Sequence, residues 1–152
     1  MSVGFVLFRL GERTFATPLD EVREIVRLQG LERLPGTTPP LAGVIVLRGL
    51  PLPVLDVRAA GSAEDSAHRD GGDVLVIDTG ADTVGVAVDE VSAVLHPDEL
   101  PAGDTAPKAL PGYVVGVHTH AGRPVLLVNL QALLDTTAAG WQDTLAAAPA
   151  QT

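Results

Sequence analysis

Three groups of residues in this 152-residue chain have types and spacings that could do chemistry. His118-Thr119-His120 sets two imidazoles two residues apart, so on an extended strand both point to one side and could share a cation. Zinc, however, takes three or four ligands, the chain has no cysteine, and His68 and His96 are distant in sequence. With Gly122-Arg123-Pro124 marking a turn beside them, the two are expected to be exposed hairpin histidines, and no metal is expected. Asp56 and Asp89 each end an apolar run. Paired acids of this kind can move protons or hold a cation, yet an Asp so placed more often accepts backbone N–H bonds at a turn. The third is Arg48, the only charge between Gly43 and Leu55, set just before Gly49 at what reads as a tight turn. An exposed charge adds little stability even when it finds a partner. A partner outside the strand pair is therefore its expected user.

No Gly-rich phosphate loop, no Gly-x-Ser-x-Gly and no His/Glu metal spacing is present, so no catalytic residue and no cofactor are expected. Composition narrows the classes further. The chain is 46% hydrophobic but only 3% aromatic, so its core must be Val, Leu, Ile and Ala, and with 16 Gly and 12 Pro it favours short strands and many turns. Net charge is −9, with ten basic residues against nineteen acidic ones, which repels a phosphate backbone or an anionic lipid surface. Nucleic acid and direct membrane insertion are not expected: the opening VGFVLF is too short for a span and lacks the basic start of a leader. The reading is a cytoplasmic protein.

An internal repeat organises the elements that must position these residues. Gly11 to Val26 aligns without gaps on Gly80 to Leu95 at an offset of 69, and Gly43 to Val57 aligns on Gly116 to Leu130 at an offset of 73. Each copy reads as strand, Gly turn, strand, a short helix or bend, a loop, then strand, Gly turn, strand. In the first copy Thr17-Pro18-Leu19-Asp20 looks like a helix start, with Leu19, Val22, Ile25 and Val26 on one face of a helix reaching Arg27. Asn129 is expected to cap a final short helix over NLQALL. Residues 59–73 read as a linker and 136–152 as an Ala-rich tail, leaving one domain over 1–135 made of two lobes, about 11–58 and 80–134.

Phe8-Arg9-Leu10-Gly11, LDEVREI, the LPG before a Pro pair, GVIVLRG followed by PVLDVR, GVAVDEVSAVL and the closing GRPVLLVNLQALL, taken together and in this order, resemble the CheW-like family of chemotaxis coupling proteins. The likeness runs from about Phe5 to Leu134. One departure is Val46, where the family usually carries Asn before Leu-Arg-Gly. The resemblance implies a mostly β fold of two SH3-like five-stranded barrels over a shared apolar core, with one or two short helices. It implies a noncatalytic adaptor between the cytoplasmic tip of a chemoreceptor and the regulatory domain of a CheA-type histidine kinase, in a chemotaxis or chemotaxis-like pathway. Val22, Glu24, Gly43, Arg48, Val91 and Val94 would then lie on or support the receptor side, and Leu41, Leu50 and Leu52 the kinase side. The protein would be recruited to membrane-bound receptor arrays. An alternative from another class is a small-molecule- or metal-binding double barrel, possibly enzymatic, with Asp56, Asp89 and the His118/His120 pair lining a pocket.

Overall fold

A computed structural model describes residues 4–36, 41–58, 71–80, 82–100, 103–104 and 108–137. Residues 59–70 of the expected linker and 138–152 of the expected tail lie outside the described residues. Asp73 already belongs to a strand, and Thr136-Thr137 to a helix.

Ten strands and one α-helix follow in order: β1 Phe5–Leu10, β2 Arg13–Pro18, β3 Glu24–Arg27, β4 Leu41–Leu47, β5 Leu50–Asp56, β6 Asp73–Asp78, β7 Thr83–Val88, β8 Glu90–Leu95, β9 Val114–His120, β10 Arg123–Val128 and α1 Leu130–Thr137. They form two five-stranded sheets, β8-β1-β2-β10-β9 and β3-β6-β7-β5-β4. Each contains one parallel contact, β2 with β10 and β5 with β7. The two orders are the same list under the repeat: β3 corresponds to β8, β6 to β1, β7 to β2, β5 to β10 and β4 to β9. The sheets therefore do not follow the sequence halves 11–58 and 80–134. Each takes a hairpin from one half and three strands from the other; the other half's strands pair both edges of that hairpin, and the cores bury both of its faces.

That burial explains the apolar runs. Along β7, Val84, Val86 and Val88 join a core shared by both sheets, while Ala87 faces a smaller core inside its own lobe. Val6 and Phe8 of β1 enter the shared core and Leu7 enters the second lobe's interior. A strand buried on both faces has no polar alternate, so it reads as a continuous hydrophobic run. The shared core also takes Leu130, Leu133 and Leu134 of α1, whose start is fixed as expected by Asn129, its Oδ1 accepting from the Ala132 N–H at 2.9 Å.

The expected helix from Asp20 to Arg27 is replaced by a single 3-10 turn, Leu19–Glu21, followed by β3. The Val22 N–H donates to Leu19 O, closing that turn, and the Arg23 N–H then donates to Val76 O on β6. From there Ile25 packs toward the shared core and Val26 toward the lobe core. The lobes are SH3-like but open: no ladder joins β3 to β4 or β8 to β9 among the described residues. One antiparallel pair crosses each gap, Glu32 with Val44 and Asp104 with Val117. Glu32 and Val44 exchange two N–H···O bonds of 2.8 Å. No described helix is long and apolar enough to cross a membrane.

Candidate protein-interaction site

The β4–β5 turn is a two-residue loop in which Leu47 opposes Leu50, with φ of 50° at Arg48 and 82° at Gly49. Its repeat counterpart, between His120 and Arg123, has φ of 51° at Ala121 and 78° at Gly122. Positive φ at both central residues is the pattern of a type I′ turn, whose backbone twist matches the flanking strands and which favours Asn or Gly at both sites. Arg48 and Ala121 are the only described non-glycine residues with positive φ. Arginine gains nothing from that conformation, so its side chain must account for its presence.

The guanidinium grips Glu24 of β3 with two bonds, Nη1 to Oε2 at 2.9 Å and Nη2 to Oε1. Arg48 remains 67% exposed and Glu24 26%. The bonds from Arg48 hold the Glu24 carboxyl below its ordinary pKa, while Glu24 holds Arg48 above its own. Arg48 thus has a partner outside its own strand pair, and that partner lies within the chain. The pair ties the β4–β5 tip to β3, the strand at the opposite edge of the same sheet.

Beside this pair lies a depression of about 240 Å³, whose walls include Glu24, Arg48, Leu50, Pro51, Leu52 and Thr83. It brings together two of the expected receptor-side residues and two of the expected kinase-side residues. Leu50 is 70% exposed and Val46, on the other strand of the hairpin, 66%. Leu41 and Leu52 are each 4% exposed, the first in the shared core and the second in the lobe core, so they chiefly support their strands, Leu52 also lining the depression. Gly43 is likewise structural. It sits where the β4–β5 register shifts, with φ of 151°, and a Cβ there would fall 2.1 Å from Glu32 O. Val22 and Val91 are half-buried against the shared core, whereas Val94 on β8 is 54% exposed. The sequence reading missed Val46 as a surface residue. The signal was the alternation from buried Ile45, which turns Val46 outward.

A second depression, about 510 Å³, adjoins this one at Arg23 and runs past Asp20, Glu21 and Asp78 to the start of α1. Arg23 is paired with Asp78 at 3.2 Å, and the Thr83 hydroxyl donates to the same carboxylate at 2.6 Å. Burial, and then the charge of Asp20, push the Glu21 carboxyl up.

The other reactive-looking groups serve the fold. Asp56 accepts from the Arg58 backbone N–H and Nε at 2.9 Å and from Nη2 at 2.8 Å, in an ion pair whose side chains are 3% and 5% exposed. Asp89 accepts from the Gly11 N–H at 2.7 Å. His118 is buried, not exposed as expected, and its ring lies 6.4 Å from that of Phe5, while His120 is half-buried. It turns inward because Val114, Gly116 and His118 share the inner face of β9. No group of three or more His, Asp or Glu among the described residues is placed to hold a metal ion.

Comparison with known proteins gives a concordant result. The CheW-like domain family model matches residues 4–138. The chain is 28% identical over 135 residues to the chemotaxis protein CheW of Klebsiella aerogenes, covering 87% of this chain and 81% of that one. It is 32% identical over 132 residues to the protein PilI of Pseudomonas aeruginosa, covering 83% and 72%, and 31% identical over 139 residues to FrzA of Myxococcus xanthus, covering 87% and 85%. The crystal structure of the scaffolding protein TtCheW from Thermoanaerobacter tengcongensis superposes with a TM-score of 0.68 over 86% of each chain at 20% identity.

Proposed function

The chain belongs to the CheW-like domain family, and from that premise we propose that it is a noncatalytic adaptor joining a chemoreceptor's cytoplasmic tip to the regulatory domain of a CheA-type histidine kinase. It works in the cytoplasm, recruited to membrane-bound receptor arrays in a chemotaxis or chemotaxis-like pathway.

The observation that carries this reading is the contrast between the two repeat-equivalent hairpin tips. One presents a left-handed arginine clamped to Glu24 and flanked by exposed Val46 and Leu50. The other has Ala121, Thr119 and Arg123 in the equivalent places. The turn needs only its glycine, so the strained arginine and the exposed aliphatics answer to something beyond folding. Arg48 and Glu24, with Val94 and the supporting Val22, Gly43 and Val91, form the receptor side. Leu50 and Val46, backed by Leu41 and Leu52, form the kinase side.

Because Arg48 and Leu50 share one depression, the test uses two variants per side, measured against a purified receptor fragment and kinase regulatory domain. Arg48→Glu and Val94→Asp should lose the receptor and keep the kinase. Leu50→Asp and Val46→Asp should do the reverse, since an unpaired carboxylate in an apolar contact weakens binding by about 2 kcal/mol or more. If every folded variant loses both partners, or neither, the two-sided adaptor reading is wrong.

A further inference from the structure

Among the described residues, Arg9, Arg23, Arg27, Arg48 and Arg58 each hold an ion pair with an acidic side chain. Among these described residues, the side chains of Arg13, Arg123 and Lys108 hold no such ion pair. Two of these three lie together: Arg13 at the start of β2 and Arg123 at the start of β10 line one notch of about 240 Å³, with Glu12, Thr14, Pro124 and Leu126 around it. Thr14, Arg123 and Pro124 are the repeat equivalents of Thr83, Leu50 and Pro51, which line the notch beside Arg48. The first notch supplies its own carboxylate, Glu24, to its arginine. The second has Ala93 at the position equivalent to Glu24, and its two guanidinium groups form no salt bridge with a described acid, Glu12 of its own lining included.

We infer that the Arg13/Arg123 notch is a docking site for a short acidic segment of a protein partner, whose carboxylates complete what the second lobe lacks. Two planar forks suit two carboxylates, which each can grip with paired N–H···O bonds. Pro124 and Leu126 give the backbone of such a segment an apolar floor. A long polyanion is disfavoured because the rest of the surface carries the chain's charge of −9. Arg13 and Arg123 lie in the sheet that also carries Val94, and in the other sheet from Arg48, Glu24, Val46 and Leu50; the inference does not depend on the adaptor reading.

The test titrates the full chain into a fluorescein-labelled decapeptide of alternating Glu and Gly at about 50 mM salt, followed by anisotropy. A dT12 oligonucleotide and inorganic phosphate are used in parallel as competitors. Arg13→Glu/Arg123→Glu should weaken peptide binding at least tenfold with an unchanged melting curve, while Lys108→Glu, outside the notch, should change it less than twofold. In amide spectra the unlabelled peptide should shift residues 12–14 and 123–126. Equal binding by the double variant, an equal loss in Lys108→Glu, or shifts elsewhere would overturn the proposal. Displacement of the peptide by phosphate or dT12 at comparable concentration would also overturn it, making the notch a general anion site.

Discussion

At Arg48 two demands compete: its backbone conformation suits Asn or Gly, while its side chain grips Glu24. An ion pair this exposed is a weak stabiliser, so relief of the backbone should win in folding. Arg48→Asn is therefore expected to melt at the same temperature or a few degrees higher, while losing most of its affinity for the receptor fragment. A clear fall in melting temperature with binding intact would make the arginine structural. The same pair sets a pH signature. Glu24 titrates below its ordinary value in the folded chain, so the stability it contributes is present above the unfolded carboxyl pKa and is lost as pH falls through the lowered folded value. Carbon-detected titration should place the Glu24 midpoint below 4.5 and return it toward that value in Arg48→Ala. The Asp56–Arg58 pair has the opposite character, being almost fully buried. Arg58→Met leaves an uncompensated carboxylate and should cost about 3–5 kcal/mol in urea unfolding, and Asp56→Leu added to it should recover most of that loss.

Among the elements, β4 shows how one glycine governs an edge. The Glu32–Val44 pair is the backbone link crossing the open side of its sheet, and Gly43 is held against Glu32 O. Gly43→Ala should break that link, lowering stability by about 2 kcal/mol or more and exposing the Val44 and Glu32 amides to fast hydrogen exchange. β4 and β5 were legible in sequence from their Gly turn and apolar alternation, as was the cap at Asn129. β3 was not. Thr17-Pro18-Leu19-Asp20 does begin a turn, but Ile25 and Val26 enter different cores, so the alternation that marks a half-buried strand was absent and helical spacing took its place. At the candidate site Arg48 stood out from sequence as a lone charge at a turn, and Leu50 only through the family resemblance. The clamp by Glu24 did not, because it joins opposite edges of one sheet and only the fold brings those edges together. His118 misled for a related reason: a turn next to it marks an exposed loop, but says nothing of which way the strand's last side chains face.

On the scale of the whole molecule, neither half of the chain owns a complete sheet. Fragments 1–58 and 71–152 should each be unfolded alone by circular dichroism and should regain the native spectrum when mixed. The intact chain should unfold in one cooperative transition, with both lobes lost together through the core they share. Independent melting of two lobes would contradict the shared core. The matched strand orders carry a consequence for ancestry. A five-stranded chain of half this length, trading its first hairpin with a twin, would build the same ten-strand body as a symmetric dimer. In such a dimer any change to a turn appears twice, so Arg48 and Ala121 would have to be the same residue. Fusing the twins removes that constraint, and the two hairpin tips become free to diverge, one toward an arginine clamped by Glu24 and the other toward Ala121 beside Arg123.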